Sequence, residues 1–89
     1  MAKLLVLAVY DEKAKTYGNP VFEANKGLAV RGFSEAVSAE NSFLAKHAGD
    51  FKLYCLGEYD NENGKFKSYN VPEFVCHASD FIKVKNGGV

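Results

Sequence analysis

Apolar positions along the chain change their period from block to block, and each period predicts an element. Lys3 to Tyr10 (KLLVLAVY) is apolar on both alternating sets of positions, as in a central strand covered on each side rather than a half-exposed edge. The polar run Asp11 to Pro20 follows, in which Gly18-Asn19-Pro20 is a turn signal, and Val21 to Ala24 reads as a short strand. Asn25 is a suitable N-cap for a helix running to about Ala39. At about 100° per residue, Ala29, Val30, Phe33, Ala36 and Val37 share one apolar arc of about 120°, with Arg31, Ser34 and Glu35 opposite. Continuing the helix would put Glu40 inside that arc, so it ends before it.

Asn41 to His47 predicts a second, short helix, capped by Asn41 and ended by Gly49. Phe51 to Tyr59 (FKLYCLGEY) alternates as a strand, with Phe51, Leu53 and Cys55 on one face and Tyr54 and Leu56 on the other. Asp60 to Gly64 then turns the chain, Gly64 supplying the positive φ of a bulged hairpin loop. Lys65 to Tyr69 is the returning strand: Lys65, Lys67 and Tyr69 face one way, Phe66 and Ser68 the other. From Phe74 to Lys85, β-branched and aromatic residues beside Pro72 favour an edge strand, broken near Ser79-Asp80, and Asn86 to Val89 is expected to fray. These elements sum to a single α+β domain over residues 1–89: a mostly antiparallel sheet with one main helix, Lys26 to Ala39, packed across it and a second short helix. One helix covers one face, so the other face of the apolar strands needs a cover, for which a second subunit, a homodimer, is the favoured candidate.

Charge narrows the functional classes. Eleven Lys and Arg balance eleven Asp and Glu, whereas proteins that hold nucleic acid mainly by neutralising phosphates carry a basic excess. Binding of that kind therefore needs a local basic face or aromatic stacking. Neutrality also lowers colloidal repulsion and fits self-association. Cys55 and Cys76 match no zinc or redox spacing; buried free thiols on strands are the expectation, a disulfide between them the alternative. The apolar start is short, is closed by Asp11-Glu12 and is followed by no cleavage site. No stretch approaches the ~20 apolar residues of a membrane helix, so a cytoplasmic protein without membrane contact is expected.

No catalytic constellation is visible. His47 and His77 lack metal-ligand spacing, and the first suits the end of a short helix. There is no nucleophile elbow, phosphate loop or dinucleotide fingerprint, and the acidic pairs Asp11-Glu12 and Asp60/Glu62 sit in turns. Neither an enzyme nor a cofactor is expected. The pattern that carries chemistry is the interleaving of basic and aromatic residues: Lys13, Lys15, Tyr17, Phe22, Lys26 and Arg31 in one stretch, and Lys65-Phe66-Lys67-Ser68-Tyr69 in another, followed by Lys83 and Lys85. Single-strand binding modules use this mixture, cations following phosphates while rings stack on bases. Lysines on a strand are equally the mark of an edge guarded against aggregation.

Several short motifs, in order, carry a resemblance. They are Val9-Tyr10-Asp11 with Lys13; Tyr17-Gly18-Asn19-Pro20 with Phe22; Gly27, Ala29, Arg31 and Phe33 on the helix; His47 through Gly64 (HAGDFKLYCLGEYDNENG); and Ala78-Ser79-Asp80-Phe81. Together they resemble the small nonstructural proteins of gokushovirus-type microviruses, tailless single-stranded DNA phages. The resemblance implies a non-virion factor of the infected host cytoplasm, acting in genome replication or in the switch to single-stranded synthesis and packaging, with DNA binding proposed and no catalytic residues to carry over. Two functions follow as expectations. One is single-stranded DNA binding, with Lys13, Lys15, Lys26 and Arg31 on phosphates and Tyr17 and Phe22 stacking. The other is a homodimeric assembly factor that engages a phage or host protein.

Overall fold

The first apolar run becomes β1 (Lys3–Asp11), and its two apolar faces are explained by its place in the middle of the sheet. In this computed structural model, which describes residues 3–82, β1 pairs on one side with β4 (Phe51–Asp60) and on the other with two short strands, β2 (Thr16–Tyr17) and β3 (Val21–Glu23). The outer strand beyond β4 is β5 (Lys65–His77), and all the pairings are antiparallel. Helix α1 (Lys26–Ser38) and the short α2 (Phe43–Lys46) lie between β3 and β4 in sequence, and 3-10 turns occupy Ala48–Asp50 and Ala78–Phe81.

Helix and strand patterns meet in one core. Ala29, Phe33 and Val37, spaced at i, i+4 and i+8, are buried together with Leu7, Phe51, Leu53, Cys55, Cys76 and Ala78. Val30 packs against this cluster as expected, whereas Ala36 is exposed: it lines an open apolar cleft of about 270 Å³ with Gly32, Val9, Val21 and Leu44. The sheet is thus covered on the face that presents Leu5, Leu7 and Val9 from β1 and Phe51, Leu53 and Cys55 from β4. Both cysteines are buried free thiols on that covered side.

Local signals explain the ends of the elements. Asn25 Oδ1 accepts the amide of Leu28 at 2.9 Å and starts α1. The short helix is capped one residue later than its sequence implies. Ser42 Oγ accepts the amide of Ala45 at 3.1 Å, while Asn41 has φ +61°, a left-handed turn conformation that asparagine tolerates better than most residues. Gly64 has the expected positive φ, +75°. The predicted return strand and the segment around Pro72 are one strand, β5, interrupted inside. Ser68 stands opposite Gly57 and Glu73 opposite Cys55, so Tyr69 to Pro72 leaves the ladder, where a residue without an N–H costs no pairing. The strand ends at His77, just ahead of Ser79-Asp80. Lys83, Lys85 and the end at 86–89 lie outside the described residues.

Two glycines test this packing in opposite directions. A Cβ built on Gly32 meets nothing within 4 Å, and the residue is inside α1, where glycine is worth about 1 kcal/mol less than alanine. Gly32→Ala is therefore expected to raise stability by about 0.5–1 kcal/mol, read as a rise of a few degrees in the thermal midpoint. The opposite case, Gly57, has β5 backbone against it.

The covered side also sets the chemistry of its thiols. Burial, with Asp80 nearby as the smaller cause, pushes Cys76 up to about 11 from its ordinary value near 9. The folded state keeps this proton more tightly than the unfolded state. Its effect is absent below pH 9, and stability falls between about pH 9 and 11 as only the unfolded thiol ionises. Chemical denaturation at pH 8 and pH 10.5 should show that loss, reduced in Cys76→Ser.

Candidate nucleic-acid interface

Alternation along the strands decides what the uncovered face presents. The residues between the core positions of β1 are Leu4, Val6, Ala8 and Tyr10; the register sets Tyr17 beside Tyr10 and Phe22 beside Val6. Across β4 the same face carries Lys52, Tyr54, Gly57 and Tyr59, and across β5 His77, Phe74, Ser68 and Phe66. One face of a small sheet thus holds seven Tyr or Phe rings from five strands. Tyr17 and Phe22 are each 42% exposed, Phe74 46% and Phe66 62%. Rings this accessible contribute little to a core and leave apolar area in water, which a binding surface explains.

These rings form two groups. In the first, the Tyr10 and Tyr17 centroids are 4.7 Å apart, Tyr54 meets both edge-on at 6.1 and 5.9 Å, Phe74 lies 5.8 Å from Tyr54, and His77 lies 4.7 Å from Phe74. In the second, Phe22 meets Tyr59 at 5.3 Å and Phe66 at 6.1 Å, and Tyr59 meets Phe66 at 4.7 Å. Tilted and edge-to-face pairs at these distances support each other while one face or edge of each outer ring stays open. Partial burial, then the neighbouring Tyr54 and Tyr10, raises Tyr17 above its ordinary value.

Of the six residues singled out in the sequence, four gather at this face or its rim. Tyr17 and Phe22 are on it, and Lys13 and Lys15 are exposed on the turn that leads from β1 into Tyr17. Asp11 builds that turn: its Oδ1 accepts the amides of Lys13 and Ala14, and its carbonyl accepts the amide of Lys15 at 2.7 Å. Lys26 and Arg31 are elsewhere, on α1 and so on the covered side. Lys26 Nζ is 2.8 Å from Glu73 Oε2 and Arg31 Nε is 3.4 Å from Glu35 Oε2, so a carboxylate already answers each charge. The structure does not bring these two to the rings.

Phe66, from the second interleaved stretch, is also on this face, and residues that the basic–aromatic pattern did not single out complete it: Tyr10, Tyr54, Tyr59, Phe74 and Lys52. Lys52 is hydrogen-bonded through Nζ to Glu12, which raises the lysine and lowers the carboxylate relative to their ordinary values. A signal for the rings existed in the sequence. Tyr54 and Phe66 fall on the alternate positions of their strands, and a single helix can screen only one side of a sheet.

Lys15 adds a conformational sign. Its φ is +59°, a region that costs a non-glycine residue about 1 kcal/mol and that Gly or Asn would occupy more easily. Lys15→Gly should therefore stabilise the fold by about 1 kcal/mol in a denaturant titration. If the lysine is held there for its charge, the same variant binds an anionic strand more weakly.

Among the described residues no three His, Cys, Asp or Glu side chains come together to hold a metal ion, and no helix is long and apolar enough to cross a membrane. No curated protein and no solved structure matches the chain significantly. The Phage ORF5 protein family matches it over residues 4–81, a span that contains all seven rings, both lysines of the turn and the whole hydrophobic core; the chain belongs to that family of phage proteins.

Proposed function

We propose that this phage protein is a non-catalytic single-stranded DNA binder whose surface is the open face of the sheet. It would act in the cytoplasm of the infected cell, in genome replication or in the switch to single-stranded synthesis and packaging. The motif resemblance supports a place among the gokushovirus-type microviruses. The observation that carries the proposal is the exposure of Tyr17, Phe22, Phe66 and Phe74 on the face opposite the helix. Base stacking on such rings is worth about 1–3 kcal/mol per base and needs no large basic excess, which reconciles nucleic-acid binding with a net charge of zero. Lys13 and Lys15 supply phosphate contacts at the rim. An unpaired strand suits the face better than a duplex, because stacking requires accessible bases.

Fluorescence anisotropy of a labelled thymidine oligonucleotide, titrated with protein at several salt concentrations, tests this. Two phosphate contacts predict a shallow salt dependence, log K falling by about 1.4 per tenfold increase in salt. No binding at 20–50 mM salt overturns the proposal.

A second reading rests on Phe66 and Phe74, with Val71 76% exposed, along β5, an outer strand. A second copy of the chain, or another phage or host protein, seated there would make the molecule an assembly factor. Sedimentation velocity across a concentration series reports self-association, and DNA that fails to compete with it would separate the two surfaces.

A further inference from the structure

The two aromatic groups do not run into each other. Tyr17 stands beside Tyr10 and Phe22 beside Val6, so four residues of β1, about 13 Å, separate the outermost rings at that edge. On β1 the face carries Ala8 between Tyr10 and Val6, and across β4 and β5 Gly57 and Ser68 separate Tyr54 and Phe74 from Tyr59 and Phe66; none of these three has a ring. The sheet is also bent there, since the β1–β4 register shifts between Val6 and Leu7 and the β4–β5 register between Cys55 and Gly57. Lys13 and Lys15 precede Tyr17 at the first group, whereas Lys65 and Lys67, though next to Phe66 in sequence, project from the opposite face of β5, across from Asp60 and Glu58. Positive charge beside the rings of the first group matches an anionic strand of bases better than an apolar protein surface.

Resting on the DNA-binding reading, we infer that the face holds one single strand at two separate stacking stations. Tyr17 and Phe74 form the first, Phe22 and Phe66 the second, and the nucleotides that bridge the bend are not stacked on protein. A stacked strand advances about 3.4 Å per nucleotide and a stretched one roughly twice that, so about 13 Å is bridged by roughly two to four steps. A strand long enough to reach both stations gains from the second contact being intramolecular, and a shorter one does not.

Oligothymidylates of two to ten nucleotides, titrated by anisotropy competition, read this directly. Affinity should stay weak at two nucleotides, rise at least tenfold between about three and five, and then level off. In a six-nucleotide oligomer, removing the bases at the two middle positions should change affinity by less than threefold, whereas removing the terminal bases should cost tenfold or more. Phe22→Ala/Phe66→Ala, with folding checked by circular dichroism, should remove the gain with length and leave the weak binding of the shortest oligomers. An equal increment per nucleotide, or a middle-base loss as large as the terminal one, overturns the two-station inference while leaving DNA binding in place. Absence of binding at every length overturns both.

Discussion

Gly57→Ala is expected to unfold the protein or bring it close to unfolding, because the strands leave no room for a methyl group. A Cβ on Gly57 would lie 2.2 Å from the carbonyl oxygen of Lys67, 3.0 Å from Ser68 Cα and 3.1 Å from the carbonyl carbon of Lys67. All three are backbone atoms, so no side chain can swing aside. Relief requires β5 to move away from β4 at the point where Gly57 pairs with Ser68, and that separates the hairpin from the sheet. Overpacking of flexible cores costs about 1–3 kcal/mol; with rigid backbone on the other side, a loss of about 3–5 kcal/mol is expected. That is a large part of a total of about 5–15 kcal/mol for an ordinary domain. For a domain of this size it lowers the thermal midpoint by roughly 15–30 °C. Thermal denaturation followed by circular dichroism, beside the stabilising Gly32→Ala, checks it. A midpoint within a few degrees of the parent would mean that β4 and β5 are not packed as described.

The largest functional effect is expected from Tyr17→Ala/Phe22→Ala. Each ring sits at an edge of the sheet, on a short strand, with about two-fifths of its area open to solvent. Their removal spares the core of Leu7, Ala29, Phe33, Val37, Phe51, Leu53, Cys55, Cys76 and Ala78. Each lost base contact is worth about 1–3 kcal/mol, so the pair should weaken single-strand binding by at least about 30-fold. Stability should fall by no more than about 2 kcal/mol, from lost ring–ring contacts with Tyr10, Tyr54, Tyr59 and Phe66. Replacing Arg31 and Lys26 by alanine should leave binding within about twofold, since both face carboxylates on the helix side. Equal losses in the two double variants would place the strand elsewhere on the molecule.

What could be read from the sequence was what depends on neighbours along the chain. The helix between Asn25 and Ser38 is visible because its cap, its apolar spacing and the place of Glu40 all agree. The turn at Gly64 is visible because glycine meets the least steric resistance at the positive φ that such a loop requires. Lys65, Lys67 and Phe66 were assigned to opposite faces because a strand alternates. Pairings between distant segments were not legible. The Lys26–Glu73 ion pair joins residues 47 positions apart, and without it Lys26 looks like a free cation. Arg31–Glu35 is different: an i, i+4 pair can be read directly from the sequence and was reason enough to discount Arg31 as a phosphate ligand. The shared face of Tyr10, Tyr17, Tyr54, Phe66 and Phe74 depends on strand order and register, which alternation within one strand does not supply. Irregular pairing hid the continuity of β5 in the same way, since Tyr69 to Pro72 leaves the ladder while the strand continues on either side.

The central claim is that a single strand of DNA lies on the sheet face opposite α1. Heteronuclear NMR of the labelled protein, titrated with a six-nucleotide thymidine oligomer, tests it most directly. Ring resonances of Tyr17, Phe22, Phe66 and Phe74 should shift together with the amides of Lys13 and Lys15, while the amides of Arg31 to Ser38 on α1 stay in place. Shifts confined to α1, or none at all at millimolar oligomer and low salt, would contradict the account.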